Sequence, residues 1–317
     1  MSPNTPVAAV QHRAPDRRTT RLPSPLRAVG LLLLLAAALY MGVSAYVATQ
    51  ATVAKRNLPE GTPADLGLTY EAVTFASAVD GIPLHGWYLP ARGERAVILL
   101  HGLDGGRWAR RPALPDKAQR YVHAGFDVLT FDLRAHGESG GERVGLGWLE
   151  RRDVQGATTF LEQRGIPPRA IGLHGHSYGA ATALLSAAVI PDIGAVIADS
   201  AFAAQLPLLD QEINLKTGLP PLFTPGIAGS ASLFYGLDLE AMAPVLAVPQ
   251  VAPRPILFIH GDADSRIPAE NSRLLLAASR NPEDSLWLVP GAEHVEAFTT
   301  QPDEYTTRMV RFFDQHL

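Results

Sequence analysis

The chain has 317 residues, of which 47% are hydrophobic, and it carries a formal net charge of −4. This length and apolar content are enough for one large domain with a substantial core, plus a tail. The sequence contains no cysteine, which excludes disulfides, thiolate metal sites and a lipid-modified N-terminal cysteine.

The first 27 residues form a basic tail that is rich in Pro, Arg, Ser and Thr and has no apolar periodicity. Such a segment cannot bury enough surface to offset its ordering entropy, so it is predicted to be disordered. Its arginines outnumber its single acid, Asp16, to give a net charge of +4, and subtracting this from −4 leaves −8 for the remainder. An acidic body argues against a nucleic-acid partner, because phosphates need a basic surface.

Residues 28–48 form an uncharged apolar run that is predicted to be a transmembrane anchor. At about 1.5 Å per residue the run spans roughly 31 Å, enough to cross a bilayer. Arginines precede it and only Lys55 and Arg56 follow it closely, so the positive-inside bias places the N-terminus in the cytoplasm and the body outside. The alternatives are a buried core helix and a signal peptide cleaved at Val43-Ser44-Ala45, which would give a secreted protein.

Residues 49–68 are predicted to be a tether, and residues 69–317 the catalytic body. The body opens with alternating residues at 70–75, a turn at Asp80-Gly81 and a second run at 82–88, which together predict an antiparallel hairpin. Six strands of the buried type are predicted at 96–100, 127–132, 170–174, 194–199, 255–260 and 285–289. Because helical segments separate most of them, an α/β fold is expected, with a mostly parallel sheet covered by helices on both faces.

The stretch Leu173-His174-Gly175-His176-Ser177-Tyr178-Gly179-Ala180 joins an apolar run to a run of small helix-forming residues. Its Gly-x-Ser-x-Gly spacing is typical of a nucleophile elbow, in which the serine occupies a strained strand-to-helix turn and its neighbours must be small. A chance glycine-rich turn is the alternative for this pattern alone.

Three other predicted strands end in residues that suit a site around this serine. They are followed by His101-Gly102, by Asp262 and Asp264, and by Glu293-His294. The carboxyl ends of parallel strands lie at one edge of a sheet, where α/β proteins form their sites. Serine, acid and histidine follow one another in the chain order of an α/β-hydrolase.

Residues 201–252 interrupt the alternation of strands and helices. At roughly 50 residues the segment exceeds what a crossover needs, so it is predicted to form a small cap over the pocket. The alternative is an ordinary crossover helix with long loops.

From about Tyr70 to the C-terminus the chain resembles the α/β-hydrolase superfamily. Within it, the chain looks like the membrane-anchored serine hydrolases described as serine-aminopeptidase-like or dienelactone-hydrolase-like. The elbow, the strand ends named above and the stretch at 131–139 carry the resemblance. It implies a hydrolase fold with a small cap and a small-molecule or lipid-like acyl substrate.

A serine hydroxyl needs an adjacent base, and that base needs a carboxylate to hold its tautomer. Ser177 is the predicted nucleophile. His294 is the predicted base because it begins a loop after the last strand, whereas His316, the other histidine beyond that strand, ends a helix. His101 and His176 flank the site and are expected to form structural hydrogen bonds.

The acid has three candidates, namely Asp264, Asp262 and Asp199. The pattern Gly-x-x-Asp-x-x-x-Pro of the resembled family matches Gly261, Asp264 and Pro268, which favours Asp264. Asp262 is expected to cap a turn, and Asp199 to satisfy backbone donors at the end of its strand.

The resemblance supplies two oxyanion donors, the N–H groups of Tyr178 and Leu103. Leu103-Asp104 departs from those oxyanion loops that have further glycines directly after His-Gly. Asp132 and Arg134 are expected to form a structural pair beneath the site, with a substrate contact as the alternative.

No metal-ligand spacing or cofactor fingerprint is present in the sequence. The leading hypothesis is therefore a serine hydrolase that cleaves an ester, thioester or amide through an acyl-enzyme. A peptidase or an acyltransferase would use the same triad. A non-catalytic binding module on a hydrolase scaffold is the alternative from another class.

Overall fold

The computed structural model describes residues 25–317. Residues 1–24 of the predicted basic tail therefore lie outside the described residues. The chain divides into two units, residues 1–40 and 41–317. The described part of the first unit is helical and belongs to α1 (Pro25–Ala51). A stretch of 18 residues within residues 27–51 of α1 has a mean hydropathy of 2.2. By length and composition this helix could cross a membrane, and a signal sequence would meet the same criteria.

The second unit contains eight strands and, after the end of α1, nine further α-helices within residues 41–317. The strands are β1 (Glu71–Ala76), β2 (Pro83–Leu89), β3 (Ala96–Leu100), β4 (Asp127–Phe131), β5 (Ile171–His176), β6 (Ala195–Asp199), β7 (Ile256–Gly261) and β8 (Ser285–Val289). The helices are α2 (Leu114–His123), α3 (Glu150–Gln163), α4 (Tyr178–Ala187), α5 (Gln205–Thr217), α6 (Thr224–Tyr235), α7 (Pro244–Val251), α8 (Glu270–Ala278), α9 (Ala297–Thr300) and α10 (Pro302–His316).

The strands form a single sheet in the order β1-β2-β4-β3-β5-β6-β7-β8. The pairs β1–β2 and β2–β4 are antiparallel, and every pair from β4 to β8 is parallel. The predicted hairpin and the mostly parallel sheet are therefore confirmed. Each parallel strand lies within a residue or two of its predicted position, because each contains a short apolar run. The strands from β3 to β7 are buried on both faces, whereas β8, at the edge of the sheet, is partly exposed.

Side chains of the central strand β3 alternate between two hydrophobic cores, one on each face of the sheet. Ala96, Ile98 and Leu100 pack in a core with residues of α3 and α4. Val97 and Leu99 pack in a second core with residues of α2 and α10. Helices on both faces thus bury the whole of this strand, as the two-residue period of a strand requires.

The register of the parallel strands brings their carboxyl ends to one edge. Leu100 of β3 lies opposite Gly175, and His176 lies opposite Asp199. Further along the same edge, Gly261 lies opposite Val289. The loops that carry the predicted site residues therefore leave the sheet side by side.

The segment at 201–252 contains α5, α6 and α7. Helix α7 packs against α4 and α8 and so covers the sheet as a crossover helix does. Helices α5 and α6 form an additional helical insertion ahead of it, and α5 lines a cavity described below.

Residues 49–68, predicted as a tether, lie against the body at several points. The backbone N–H of Lys55 donates to Asp104 Oδ1 over 2.9 Å. The Arg56 guanidinium donates to three carbonyl groups in the loop after β4, including that of Ser139 at 2.6 Å. Gln119 of α2 donates to the Leu66 carbonyl over 3.1 Å. The segment is thus attached to the loops after β3 and β4 and to α2.

Candidate active site

Ser177 occupies a sharp turn between β5 and α4. Its backbone has φ 53° and ψ −117°, a left-handed conformation that is strained for any residue with a side chain. The two flanking glycines leave no room for a side chain. A Cβ added at Gly175 would lie 2.2 Å from the Gly179 carbonyl oxygen, and one added at Gly179 would lie 2.4 Å from the Leu100 carbonyl oxygen. The predicted size limit therefore has a direct steric cause.

The structure brings Ser177, His294 and Asp264 together although they are far apart in the chain. His294 Nε2 lies 2.9 Å from Ser177 Oγ, and His294 Nδ1 lies 2.7 Å from Asp264 Oδ2. His294 is 8% exposed and Asp264 is 6% exposed. The imidazole thus joins the hydroxyl to the carboxylate in a nearly buried site.

Several donors converge on Asp264. Its Oδ1 accepts from the backbone N–H groups of Arg266 and Ile267, at 3.0 and 2.8 Å. Its Oδ2 lies 3.3 Å from His260 Nε2. Burial acts to raise the pKa of Asp264, but hydrogen bonds from His260, His294 and Ile267 outweigh burial and hold the pKa well below its usual range. This carboxyl is therefore ionised at neutral pH.

The other candidate residues lie away from this constellation. Asp262 is exposed, and its Oδ1 accepts from the Gly291 N–H over 2.7 Å. Asp199 is buried and accepts from the hydroxyls of Tyr305 and Ser200, at 2.7 and 2.9 Å. His316 is the last residue of α10.

Leu103 and Tyr178, the predicted oxyanion donors, line the same cavity as Ser177. Tyr178 is the first residue of α4, where the helix dipole favours negative charge. The loop after β3 passes beside the nucleophile. A Cβ added at Gly102 of this loop would lie only 3.8 Å from Ser177 Cβ. Asp104, where the sequence departs from glycine-rich oxyanion loops, has a left-handed φ of 57°.

His101, one of the two histidines that flank the site, bonds to the loops and not to the three site residues. His101 Nδ1 lies 2.8 Å from the Gly102 carbonyl oxygen, and its Nε2 accepts from the Leu133 N–H over 3.0 Å. Burial, together with the neighbouring His136, lowers the pKa of His101 to about 3. His101 is therefore neutral and holds the loops after β3 and β4 together.

A buried lysine behind the elbow has no counterpart in the sequence predictions. Lys117 Nζ lies 2.6 Å from His176 Nε2, donates to the Pro112 carbonyl over 2.8 Å and lies 3.9 Å from Asp199 Oδ2. It also lies 4.7 Å from the centre of the Tyr305 ring. Burial lowers the pKa of Lys117 to about 7, against the opposing effect of nearby carboxylates.

The predicted pairing of Asp132 with Arg134 is wrong, because each has a different partner. Asp132 pairs with Arg107, which also contacts Glu138. Arg134 forms a buried ion pair with Asp153 at 2.7 Å. Arg107 lies between β3 and α2, and Asp153 lies in α3, so the two counter-ions come from different parts of the chain.

Ser177 lies between two cavities of different character. One has a volume of about 230 Å³ and is lined mainly by apolar side chains, including Leu103, Leu146, Phe202, Leu208, Leu209 and Ile213. The other has a volume of about 510 Å³ and a more polar lining, which includes Arg111, Ser265, Arg266, Glu293, His294 and Glu296. An apolar group and a polar group can therefore both approach the serine, from different directions.

The sheet order and the elbow at the end of β5 define an α/β-hydrolase. The model of the alpha/beta hydrolase family matches residues 97–308. The chain belongs to this family and is a hydrolase.

The chain is also similar to individual proteins and to a solved structure of the same fold. The uncharacterized protein YfhR of Escherichia coli is 32% identical over 252 residues, which cover 76% of this chain and 80% of YfhR. The uncharacterized protein YqkD of Bacillus subtilis is 30% identical over 243 residues, 74% of this chain and 76% of YqkD. The structure of the esterase PF2001 of Pyrococcus furiosus is similar in fold, with a TM-score of 0.71 and 24% identity over 84% of this chain and 98% of that one.

Proposed function

We propose that the protein is a serine hydrolase that cleaves an acyl ester or thioester with Ser177, His294 and Asp264. The observation that carries the proposal is the hydrogen-bonded series from Ser177 Oγ to His294 Nε2, at 2.9 Å, and from His294 Nδ1 to Asp264 Oδ2, at 2.7 Å. This is the geometry by which a histidine activates a serine while a carboxylate fixes its tautomer.

In the proposed reaction, Ser177 Oγ attacks the acyl carbonyl carbon as His294 Nε2 takes its proton. The negative oxygen of the tetrahedral intermediate is bound by the N–H groups of Tyr178 and Leu103. Each such donor contributes roughly 3 kcal/mol in comparable sites. His294 then protonates the leaving alcohol or thiol. Water, deprotonated by His294, then attacks the acyl-serine, and His294 returns that proton to Ser177 Oγ as the acid leaves and the free enzyme is restored.

The difference between the two cavities supports a binding direction for the two halves of the substrate. The apolar cavity receives the acyl group, because apolar side chains line it and Ser177 lies at its edge. The second, more polar cavity, called the polar groove below, receives the leaving group. With about 30 Å³ for a group the size of a water molecule, the 230 Å³ of the apolar cavity hold a chain of about eight carbons.

We further propose that residues 28–48 anchor the protein in the cell membrane, with residues 1–27 in the cytoplasm and the hydrolase domain outside. The apolar helix and the arginines that precede the run support this topology. Residues 49–68 connect the anchor to the domain, and α5 and α6 act as its cap.

The test is covalent labelling with a fluorophosphonate, which reacts with an activated serine. The wild type should be labelled and Ser177→Ala should not, while the two proteins melt at the same temperature. Equal labelling of both proteins would sink the assignment. A panel of p-nitrophenyl esters and thioesters of increasing chain length, with aminoacyl anilides beside it, then identifies the bond that is cleaved.

A further inference from the structure

The end of the apolar helix α1 forms part of the wall of the apolar cavity beside Ser177. Because this cavity is proposed to receive the acyl group, it is called the acyl cavity below. Val47, Gln50 and Ala51, from the last two turns of α1, line the cavity together with Ser177. Ala48, between them, is 1% exposed. The segment proposed to anchor the protein therefore also shapes the space beside the nucleophile.

Hydrogen bonds hold this helix end in place. Thr49 Oγ1 lies 2.7 Å from the hydroxyl of Tyr235 at the end of α6. The Arg143 guanidinium donates to the Thr49 carbonyl and the Thr52 hydroxyl, at 3.1 and 2.9 Å, and lies 4.5 Å from the Tyr235 ring centre. The N–H of Val144 donates to the Thr52 carbonyl over 2.9 Å. The wall is a built part of the domain.

Chain connectivity fixes how far this wall can be from the bilayer. Ser44 and Ala48 of α1 are buried against the domain, so the part of the helix that is free to lie in a bilayer ends near Val43. At about 1.5 Å per helical residue, Val47 lies roughly 6 Å and Ala51 roughly 12 Å beyond that point. The acyl cavity is therefore near the membrane surface if the free part of α1 crosses the membrane.

The insertion beside the helix end presents apolar side chains to the outside. Leu233 and Phe234 are 75% and 57% exposed, and they are the two residues before Tyr235, which contacts Thr49. Leu215 of α5 is also 75% exposed. Exposed apolar groups next to a membrane-spanning segment are suited to contact with lipid.

We propose that the substrate is a single-chain acyl ester that resides in the membrane. On this proposal the helix end admits its chain from the bilayer surface into the cavity. This rests on the proposed hydrolase function. The cavity, at about 230 Å³, has room for one chain of about eight carbons. A soluble leaving group would depart through the polar groove, away from lipid.

The first test uses the full-length protein in phosphatidylcholine vesicles, with active sites counted by fluorophosphonate. Hydrolysis of 1-decanoylglycerol, which partitions into vesicles, is compared with that of soluble p-nitrophenyl acetate. Ala51→Trp and Val47→Trp fill the cavity from the helix side. Each should lower the ratio of kcat/KM values, decanoyl over acetyl, by about tenfold or more. Val53→Trp, at a position that is 54% exposed, is the matched control and should leave the ratio unchanged.

The second test dilutes decanoylglycerol in the vesicle surface with inert lipid at constant bulk concentration. Its rate of hydrolysis should fall with its surface mole fraction, while the rate with p-nitrophenyl acetate stays constant. A rate that follows bulk concentration alone, or an unchanged ratio in both tryptophan variants, overturns the membrane proposal and leaves the hydrolase function standing. Loss of fluorophosphonate labelling in the wild type would instead refute both proposals.

Discussion

At the scale of single residues, Asp264 and Asp262 provide a matched comparison two positions apart. Asp264 contacts His294 Nδ1, whereas Asp262 accepts from the Gly291 N–H. Asp264→Asn should favour the wrong imidazole tautomer and lower turnover by up to about 10⁴-fold. Asp262→Asn should cost only about 1 kcal/mol of stability. Steady-state kinetics on a p-nitrophenyl ester measure both. An inactive Asp262→Asn variant together with an active Asp264→Asn variant would reverse the assignment. Loss of turnover in Asp199→Asn alone would show that the acid is the aspartate at the end of β6.

Lys117 gives a prediction on pH. Its pKa is about 7 in the folded protein and about 10.4 in an unfolded chain. Between these values the unfolded chain binds more protons, so the free energy of unfolding should rise with pH, by at most about 1.4 kcal/mol per unit. Lys117→Met should remove this rise between pH 7 and 9, as measured by urea denaturation in detergent. Lys55→Met, at an exposed side chain, should keep it. Equal slopes in Lys117→Met and wild type would contradict the prediction.

The sequence contains a pattern that indicates the burial of Lys117. Leu114, Lys117, Ala118 and Tyr121 are buried on one face of α2, at the i, i+3, i+4, i+7 spacing of a core-facing helix. A lysine on such a face needs buried partners. Which partners it has could not be predicted, because His176 is far along the chain and on a different element. The error over Asp132 and Arg134 has the same origin, since counter-ions depend on packing between elements.

At the scale of elements, the elbow depends on the absence of two side chains. A Cβ at Gly179 would lie 2.4 Å from the Leu100 carbonyl oxygen and 2.5 Å from that of His101. Gly179→Ala must therefore push α4 away from β3, at a cost of about 1–3 kcal/mol. It should also displace Ser177 and lower turnover by about 100-fold or more.

Gly229→Ala is the control for this substitution. Gly229 lies within α6, and an added Cβ there would meet nothing within 4 Å. Alanine should stabilise the helix by about 0.5–1 kcal/mol relative to glycine and leave turnover unaltered. Thermal melting and ester kinetics on both variants test this prediction. Normal activity in Gly179→Ala would show that the elbow tolerates a side chain.

The strands and the elbow could be predicted because their signals are local. Each parallel strand is an apolar run of five or six residues with a turn at its end, and the elbow is a five-residue pattern. The role of residues 47–51 was not predicted. The sequence identifies this stretch as the end of an apolar helix, but its place beside Ser177 depends on contacts with Arg143 and Tyr235, which are distant in the chain.

At the scale of the whole molecule, cleavage of the apolar segment at residues 28–48 would also change the active site. Cleavage after Ala45 would leave a protein that begins at Tyr46, with only six helical residues before the end of α1. The first four N–H groups of that remnant would have no helical partner, and Ser44, which is fully buried, would be lost. The remnant carries the wall of the acyl cavity, so cleavage should loosen the site as well as release the protein.

We therefore expect the full-length protein to be retained by the membrane. It should stay in the pellet through carbonate washing, because a helix of this length and hydropathy partitions into the bilayer. Its body should be digested by protease added on the outer side only, because arginines hold the N-terminus inside. Replacing Arg17, Arg18, Arg21 and Arg27 by glutamine removes most of that bias, and part of the population should then become inaccessible from outside. A soluble product beginning at Tyr46, identified by N-terminal sequencing, would show instead that the segment is a signal peptide.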